Sequence, residues 1–90
     1  MISWSETKRR RNLTTHGFDF VGCETIFDRY MLVREDTRES YGEQRFKALG
    51  IWEGVVVALI YAEREGDIQV ISIRKATKYE TKAYFQARGY

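Results

Sequence analysis

The sequence predicts an α+β fold: a small antiparallel sheet with two N-terminal helices before it and a C-terminal helix after it. Three observations carry this reading. The run VVVALIYA from Val55 to Ala62 is apolar at consecutive positions, as expected of a central strand covered on both faces. Gly66-Asp67 suits a type II′ hairpin turn into a second strand from Ile68 to Arg74. Thr77 stands three residues before Glu80, the spacing of a capping box that opens a helix.

The remaining elements follow in chain order. Ile2 to Trp4 reads as a short strand, and Ser5 caps a first helix that stops at Gly17, a residue free to take the left-handed conformation after a helix end. Lys8, Asn12 and His16 are spaced i, i+4, i+8 and share one face of that helix. Asparagine is a mediocre interior helix residue, so Asn12 has a side chain in use. A second, short helix is expected with Asp19 as its cap and Phe20, Cys23, Ile26 and Phe27 as its buried face. Tyr30 to Asp36 and Arg45 to Trp52 read as antiparallel strands joined by a polar turn from Thr37 to Gly42. In the last helix, Ala76, Tyr79, Ala83 and Ala87 form the expected packing stripe.

Composition narrows the class. With 43% hydrophobic and 14% aromatic residues, 90 residues suffice for one domain spanning 1–90, one that buries roughly 60% of its unfolded surface. The lone Cys23 closes no internal disulfide, and one cysteine with one histidine falls short of a structural zinc set. The first residues, MISWSETKRRRN, enter charge without an apolar core, so no signal peptide is expected. No apolar run approaches the roughly 20 residues of a membrane span. A cytoplasmic protein without membrane attachment is the expectation. The net charge of +2 is too small to bind nucleic acid by bulk charge, although Lys8 to Arg11 sets four cations in a row.

The chemistry-bearing residues each have a bland counterpart. Arg64 and Arg74 flank the hairpin, and together they would hold a phosphate if the register put them on one face. A strict Gly66-Asp67 turn puts them on opposite faces, whereas one extra residue brings them together. Arg64 is equally a solvated strand end, while Arg74 gains from standing directly before a helix. Glu80 is a general base or an organiser of Arg74, but its capping place explains it without chemistry. Tyr84, one turn later, offers a phenol for proton transfer or simply a packed aromatic. His16 suits a general acid or a phosphate contact at a helix end whose dipole favours a cation, or pairs with the last helical carbonyls beside Gly17. The Lys8 to Arg11 run is otherwise a solvated helix face. Acidic residues are scattered without a pair recommending a metal-dependent nuclease, so metal-free chemistry and no cofactor are expected.

Two blocks carry a family resemblance. One is ISWSETKRRRNLTTHGFDFVGCETIF, with Trp4, Lys8, Asn12, His16-Gly17, Phe20 and Phe27. The other is ALIYAEREGDIQVISIRKATKYETKAY, with Glu63-Arg64, Ile71-Ser72, Arg74-Lys75-Ala76-Thr77, Glu80 and Tyr84. Together they resemble the BrnT family of toxins almost end to end, and the segment Ile-Ser-x-Arg-Lys-Ala-Thr-x-x-Glu is its distinctive part. The resemblance implies a RelE-like fold and a ribonuclease toxin of a type II toxin-antitoxin pair. It also implies neutralisation by a BrnA-type antitoxin, which supplies a ribbon-helix-helix DNA-binding part, so that DNA is contacted only through the antitoxin. The chain departs from the family pattern at Ser5, Thr15, Gln69 and Ile73; the Thr15 and Gln69 positions each cost a potential phosphate contact.

The expected reaction is attack of a ribose 2′-hydroxyl on the adjacent phosphate. Arg64 and Arg74 would stabilise charge, with Lys8, Asn12, Arg45 and Lys75 binding RNA. For proton transfer His16 comes first, with Glu80 and Tyr84 behind it. Two other classes are compatible with the same surface: a non-catalytic nucleic-acid or protein-binding module, and a partner whose sheet edge receives another chain.

Overall fold

The computed structural model describes residues 1–40 and 42–89; Tyr41, within the expected polar turn, and Tyr90 lie outside the described residues. Its elements run β1 (Ile2–Trp4), α1 (Glu6–His16), α2 (Glu24–Phe27), β2 (Leu32–Glu35), β3 (Arg45–Trp52), β4 (Val55–Arg64), β5 (Asp67–Lys75) and α3 (Lys78–Arg88). Local chemistry sets the ends of both long helices. The Ser5 hydroxyl accepts the Lys8 N–H at the start of α1, and Gly17, at φ 78°, donates its N–H to the Leu13 carbonyl at the end. At α3 the Thr77 hydroxyl accepts the Glu80 N–H while the Glu80 carboxylate accepts the Thr77 N–H, so the capping box forms in full.

Helix α2 is a single turn preceded by Cys23, and the expected Asp19 cap does not form. The Asp19 carboxylate is spent locally: it accepts the Val21 N–H and pairs with Arg9 of α1 at 3.0 Å. These contacts hold its carboxyl below the ordinary range, the Val21 hydrogen bond contributing most.

The sheet is larger than expected and mixed. Its order is β1-β5-β4-β3-β2, with antiparallel pairing throughout except that β1 runs parallel to β5. A three-residue N-terminal strand carries no signal for which distant edge it will join, and only the return of β5 creates that edge.

The hairpin between β4 and β5 turns at Glu65-Gly66, one residue earlier than predicted. Both residues have positive φ, 52° and 86°, the signature of a type I′ turn. Arg64 therefore faces Asp67, and Tyr61 faces Val70. Between Ile60 and Tyr61 the register shifts, leaving Ile71 as the extra residue, so that Ile60 faces Ser72 and Ala58 faces Arg74. This bulge decides the orientation of Arg74. Val70 and Ile73 are both fully buried in the same cluster, whereas strict alternation would have driven Ser72 and Arg74 into it.

Two clusters occupy the two faces. On one, Phe20, Cys23 and Ile26 pack against Val57, Leu59, Tyr61, Val70 and Ile73. Gly50 permits this contact, since a Cβ there would stand 2.7 Å from the Ile26 Cγ2. Burial pushes the Cys23 thiol up to about 11, so it is not a nucleophile at neutral pH. On the other face α3 lays Tyr84 over Leu49, Val56, Ala58 and Ala76.

The packing side of α3 differs from the expected stripe. Tyr79 is 82% exposed and Ala87 is exposed, while Tyr84 is 1% exposed with Phe85 half-buried beside it. Ala76 lies before the Thr77 cap, outside the helix, so a stripe counted from it does not mark the inner face.

Candidate nucleic-acid interface

Helix α3 covers only part of its sheet face, and the register shows what the remainder carries. One row across the sheet reads Arg34, Lys47, Ile60, Ser72. Beside it, nearer α3, runs Leu32, Leu49, Ala58, Arg74; on the far side come Arg45, Ala62, Gln69 and Ser3, and then Arg64 opposite Asp67. Five cationic residues thus project on one face, drawn from four strands, and only Leu32, Leu49 and Ala58 among these positions contribute to the core under α3.

The Arg74 guanidinium donates to both oxygens of Glu80, at 2.8 and 3.0 Å, and to the Lys75 carbonyl at 3.2 Å. Lys47 reaches the same carboxylate at 2.6 Å. Glu80, with its side chain 13% exposed, is held far below the usual carboxylate range, first by the Arg74 hydrogen bonds and then by Lys47 and the Thr77 N–H against the opposing effect of burial. Arg38 from the loop after β2 lies near enough for its charge to oppose that of Arg74. It pairs with the buried Asp36 at 2.8 Å.

A second ion group stands at the hairpin end of the same face. Glu43 takes Arg64 at 2.6 Å and Arg45 at 3.2 Å, and its carboxyl is lowered chiefly by Arg64. Arg64 and Arg74 share a face, brought there by the bulge rather than by a longer turn. They do not form one phosphate clamp: Arg74 faces Ala58, six β4 residues from Arg64, a separation of roughly 20 Å along the strand.

Helix α1 meets β5 where β1 ends. The Asn12 amide nitrogen donates to the Ile73 and Phe18 carbonyls, each at 2.8 Å, and its oxygen accepts the Ile73 N–H at 2.9 Å. Asn12 thus pairs with β5 as a neighbouring strand would. At 4% exposed, its amide is committed to holding α1 on β5. Lys8, Arg11, Thr15 and His16 lie on the same helix around it and, with Ile71 and Ser72, line a cleft of about 340 Å³. Ser72 is also the end of the Arg34–Lys47–Ile60 row, and it stands two residues from Arg74 on the same face, about 6 to 7 Å away. The α1 cleft and the basic sheet face therefore meet at Ser72.

A family model described as "Ribonuclease toxin, BrnT, of type II toxin-antitoxin system" matches residues 4–80. The chain belongs to the BrnT family. A comparison with curated proteins finds no match. The BrnT match contains Lys8, His16, Arg45, Arg64, Arg74 and Glu80 but stops short of Tyr84. That tyrosine is buried, and its hydroxyl donates to the Tyr30 carbonyl at 3.0 Å, so its phenol is turned into this BrnT fold and away from the basic face. Lys75 points away from Arg74 and borders a separate hollow with Ile51, Val55, Thr81 and Phe85.

Sequence reasoning missed Arg34 and Lys47, which the sheet sets side by side. The signal was present in the alternation of Arg45 and Lys47 along β3, two basic residues on one face of a strand. Among the described residues, no group of three or more His, Cys, Asp or Glu side chains is placed to hold a metal ion, and no helix is long and apolar enough to cross a membrane.

The locked Glu80 gives a pH prediction for this BrnT protein. Its folded pKa lies below the ordinary 4.5, so its contribution to stability is complete above about pH 4.5 and is lost as the pH falls through the folded value. Glu80→Gln should therefore melt lower than the wild type at pH 7, with the gap narrowing progressively below pH 4.5. Thermal melts of both proteins from pH 7 to pH 2.5 measure this; an equal gap at pH 7 and pH 3 contradicts a contribution from the charge.

Proposed function

We propose that the protein is a metal-independent endoribonuclease toxin of the cytoplasm, with a RelE-like arrangement, that cuts RNA on the basic sheet face where it meets the α1 cleft. The observation that carries this reading is the convergence at Ser72. One side brings Arg34, Lys47 and Arg74, and the other brings Lys8, Arg11 and His16.

The reaction begins with the ribose 2′-oxygen forming a bond to phosphorus while its proton passes to a base. The bond from phosphorus to the 5′-oxygen then breaks, and that oxygen takes a proton, leaving a 2′,3′-cyclic phosphate and a 5′-hydroxyl. Charge grows on the phosphate oxygens in the transition state, where fixed cations are most effective. Arg74 is assigned this role, with Lys47, Arg34 and Lys8 holding flanking phosphates. His16, exposed in the cleft, is the group placed to move protons, since imidazole both accepts and donates them. Glu80 orients Arg74 instead of acting as the base, because a carboxylate held so strongly by two cations has little affinity for a proton. Arg64 and Arg45 extend the RNA path toward the hairpin.

A BrnA-type antitoxin neutralises the toxin by covering this face, and it brings the DNA contact to the complex. The test is incubation of the purified protein with end-labelled RNA in excess chelator. Fragments ending in 2′,3′-cyclic phosphate are expected. Salt-sensitive RNA binding without fragments would instead assign the surface to a binding module.

A further inference from the structure

Helix α3 carries, at the border of the basic sheet face, an exposed aromatic that the reaction does not use. Tyr79 projects from the first turn of α3 with 82% of its surface exposed, the most exposed aromatic among the described residues. It borders a hollow of about 210 Å³ whose other walls are Leu32, Leu49, Arg34, Lys47, Ala83 and Glu80. The hollow joins an apolar floor and an exposed ring to two cations, Arg34 and Lys47, with Arg74 held against its Glu80 wall. Glu80, the carboxylate among its walls, is already taken by Arg74 and Lys47.

We propose that this hollow is a nucleobase subsite, in which a base of the bound RNA stacks on Tyr79 over Leu32 and Leu49 while its phosphates lie against Arg34 and Lys47. Every base has a π-face, so an exposed ring beside a cationic track holds single-stranded RNA without base-edge contacts. The arrangement also explains why an aromatic stands outside the core at this point of α3: the Thr77 cap fixes the start of the helix, which turns Tyr84 inward and Tyr79 toward β2 and β3. Rotating the first turn to bury Tyr79 would break that cap.

The inference rests on the ribonuclease reading, and the experiment separates the two. A fluorescein-labelled random-sequence hexamer with 2′-O-methyl riboses lacks the attacking hydroxyl, so its titration with the full chain reads binding without cleavage. Tyr79→Ala should weaken binding about 5- to 150-fold, the range for one stacked base, while Tyr79→Phe, which keeps the ring, stays within about two-fold. The salt dependence of binding should be unchanged in Tyr79→Ala, whereas Lys47→Ala should reduce its slope by about 1. In cleavage of unmodified RNA, Tyr79→Ala should raise KM with the products unchanged. Equal affinity of Tyr79→Ala and wild type, or a Tyr79→Phe defect as large as that of alanine, overturns the subsite. So does a Tyr79→Ala variant that loses antitoxin binding but keeps RNA binding. A wild-type protein that binds RNA yet produces no cyclic-phosphate ends sinks the ribonuclease reading while leaving the stacking comparison intact.

Discussion

Arg74→Ala is expected to slow RNA cleavage about 100- to 1,000-fold, the cost of removing one preorganised donor from a site of developing charge. Arg74 is delivered to the sheet face by the Ile71 bulge and clamped there by Glu80, with its side chain 36% exposed. Its orientation is therefore set before RNA arrives, and a phosphate meets a guanidinium that need not reorganise. The loss should fall mainly on kcat, because Lys8, Arg34 and Lys47, the proposed contacts to flanking phosphates, remain in place. Arg74→Lys should recover little, since an ammonium cannot pair with both Glu80 oxygens and also present a planar edge to phosphate. Glu80 keeps Lys47 and the Thr77 N–H in these variants, so the fold should survive, as thermal melts will show. Single-turnover cleavage is the measurement; a folded Arg74→Ala protein that cuts RNA at the wild-type rate rules out Arg74 as the charge-stabilising group.

Asn12→Ala should bring the largest loss of stability among single substitutions considered. The change leaves the Ile73 N–H and C=O without their partner in a buried setting and also removes the donor to Phe18. At about 1 to 3 kcal/mol for each buried group left unsatisfied, the expected cost is about 3 to 5 kcal/mol. A chain of this size has roughly 5 to 13 kcal/mol in total. Asn12→Asp should do no better, because a carboxylate retains the acceptor for Ile73 but sets negative oxygen against two carbonyls. Urea unfolding followed by tryptophan fluorescence measures this as a fall in midpoint with an unchanged slope. A loss under about 1 kcal/mol would mean that water replaces the amide at the strand edge.

These two residues illustrate how much was legible beforehand. Asn12 was recognisable as a side chain in use because asparagine is a poor helix interior residue, but its partner is 61 residues away and no local pattern names it. Arg74 was recognisable from its place before a capped helix and from the Ile-Ser-x-Arg-Lys-Ala-Thr-x-x-Glu segment. Its face was not, because the hairpin turn came one residue early and the bulge then added the residue that reversed the alternation. Tyr79 belongs to the expected packing stripe yet is exposed, since that stripe is counted from a residue that precedes the helix, whereas Tyr84, open to either reading, is the packed aromatic. Lys47 had a signal in its alternation with Arg45, but its pairing with Arg34 emerges only when β2 and β3 lie side by side.

What the sequence alone determined is what short-range chemistry controls. The Ser5 and Thr77 caps, the Gly17 stop, the buried central strand and the family motif each lie within a few residues, where side chains meet their own backbone or alternate along one strand. The tertiary structure decided the rest: the parallel return of β1 to β5, the asparagine that substitutes for a strand, the single face shared by Arg64 and Arg74, and the meeting of the basic sheet with the α1 cleft at Ser72. Each depends on register between distant segments, and because side chains alternate with period two, one residue of register separates a buried arginine from one on the open basic face.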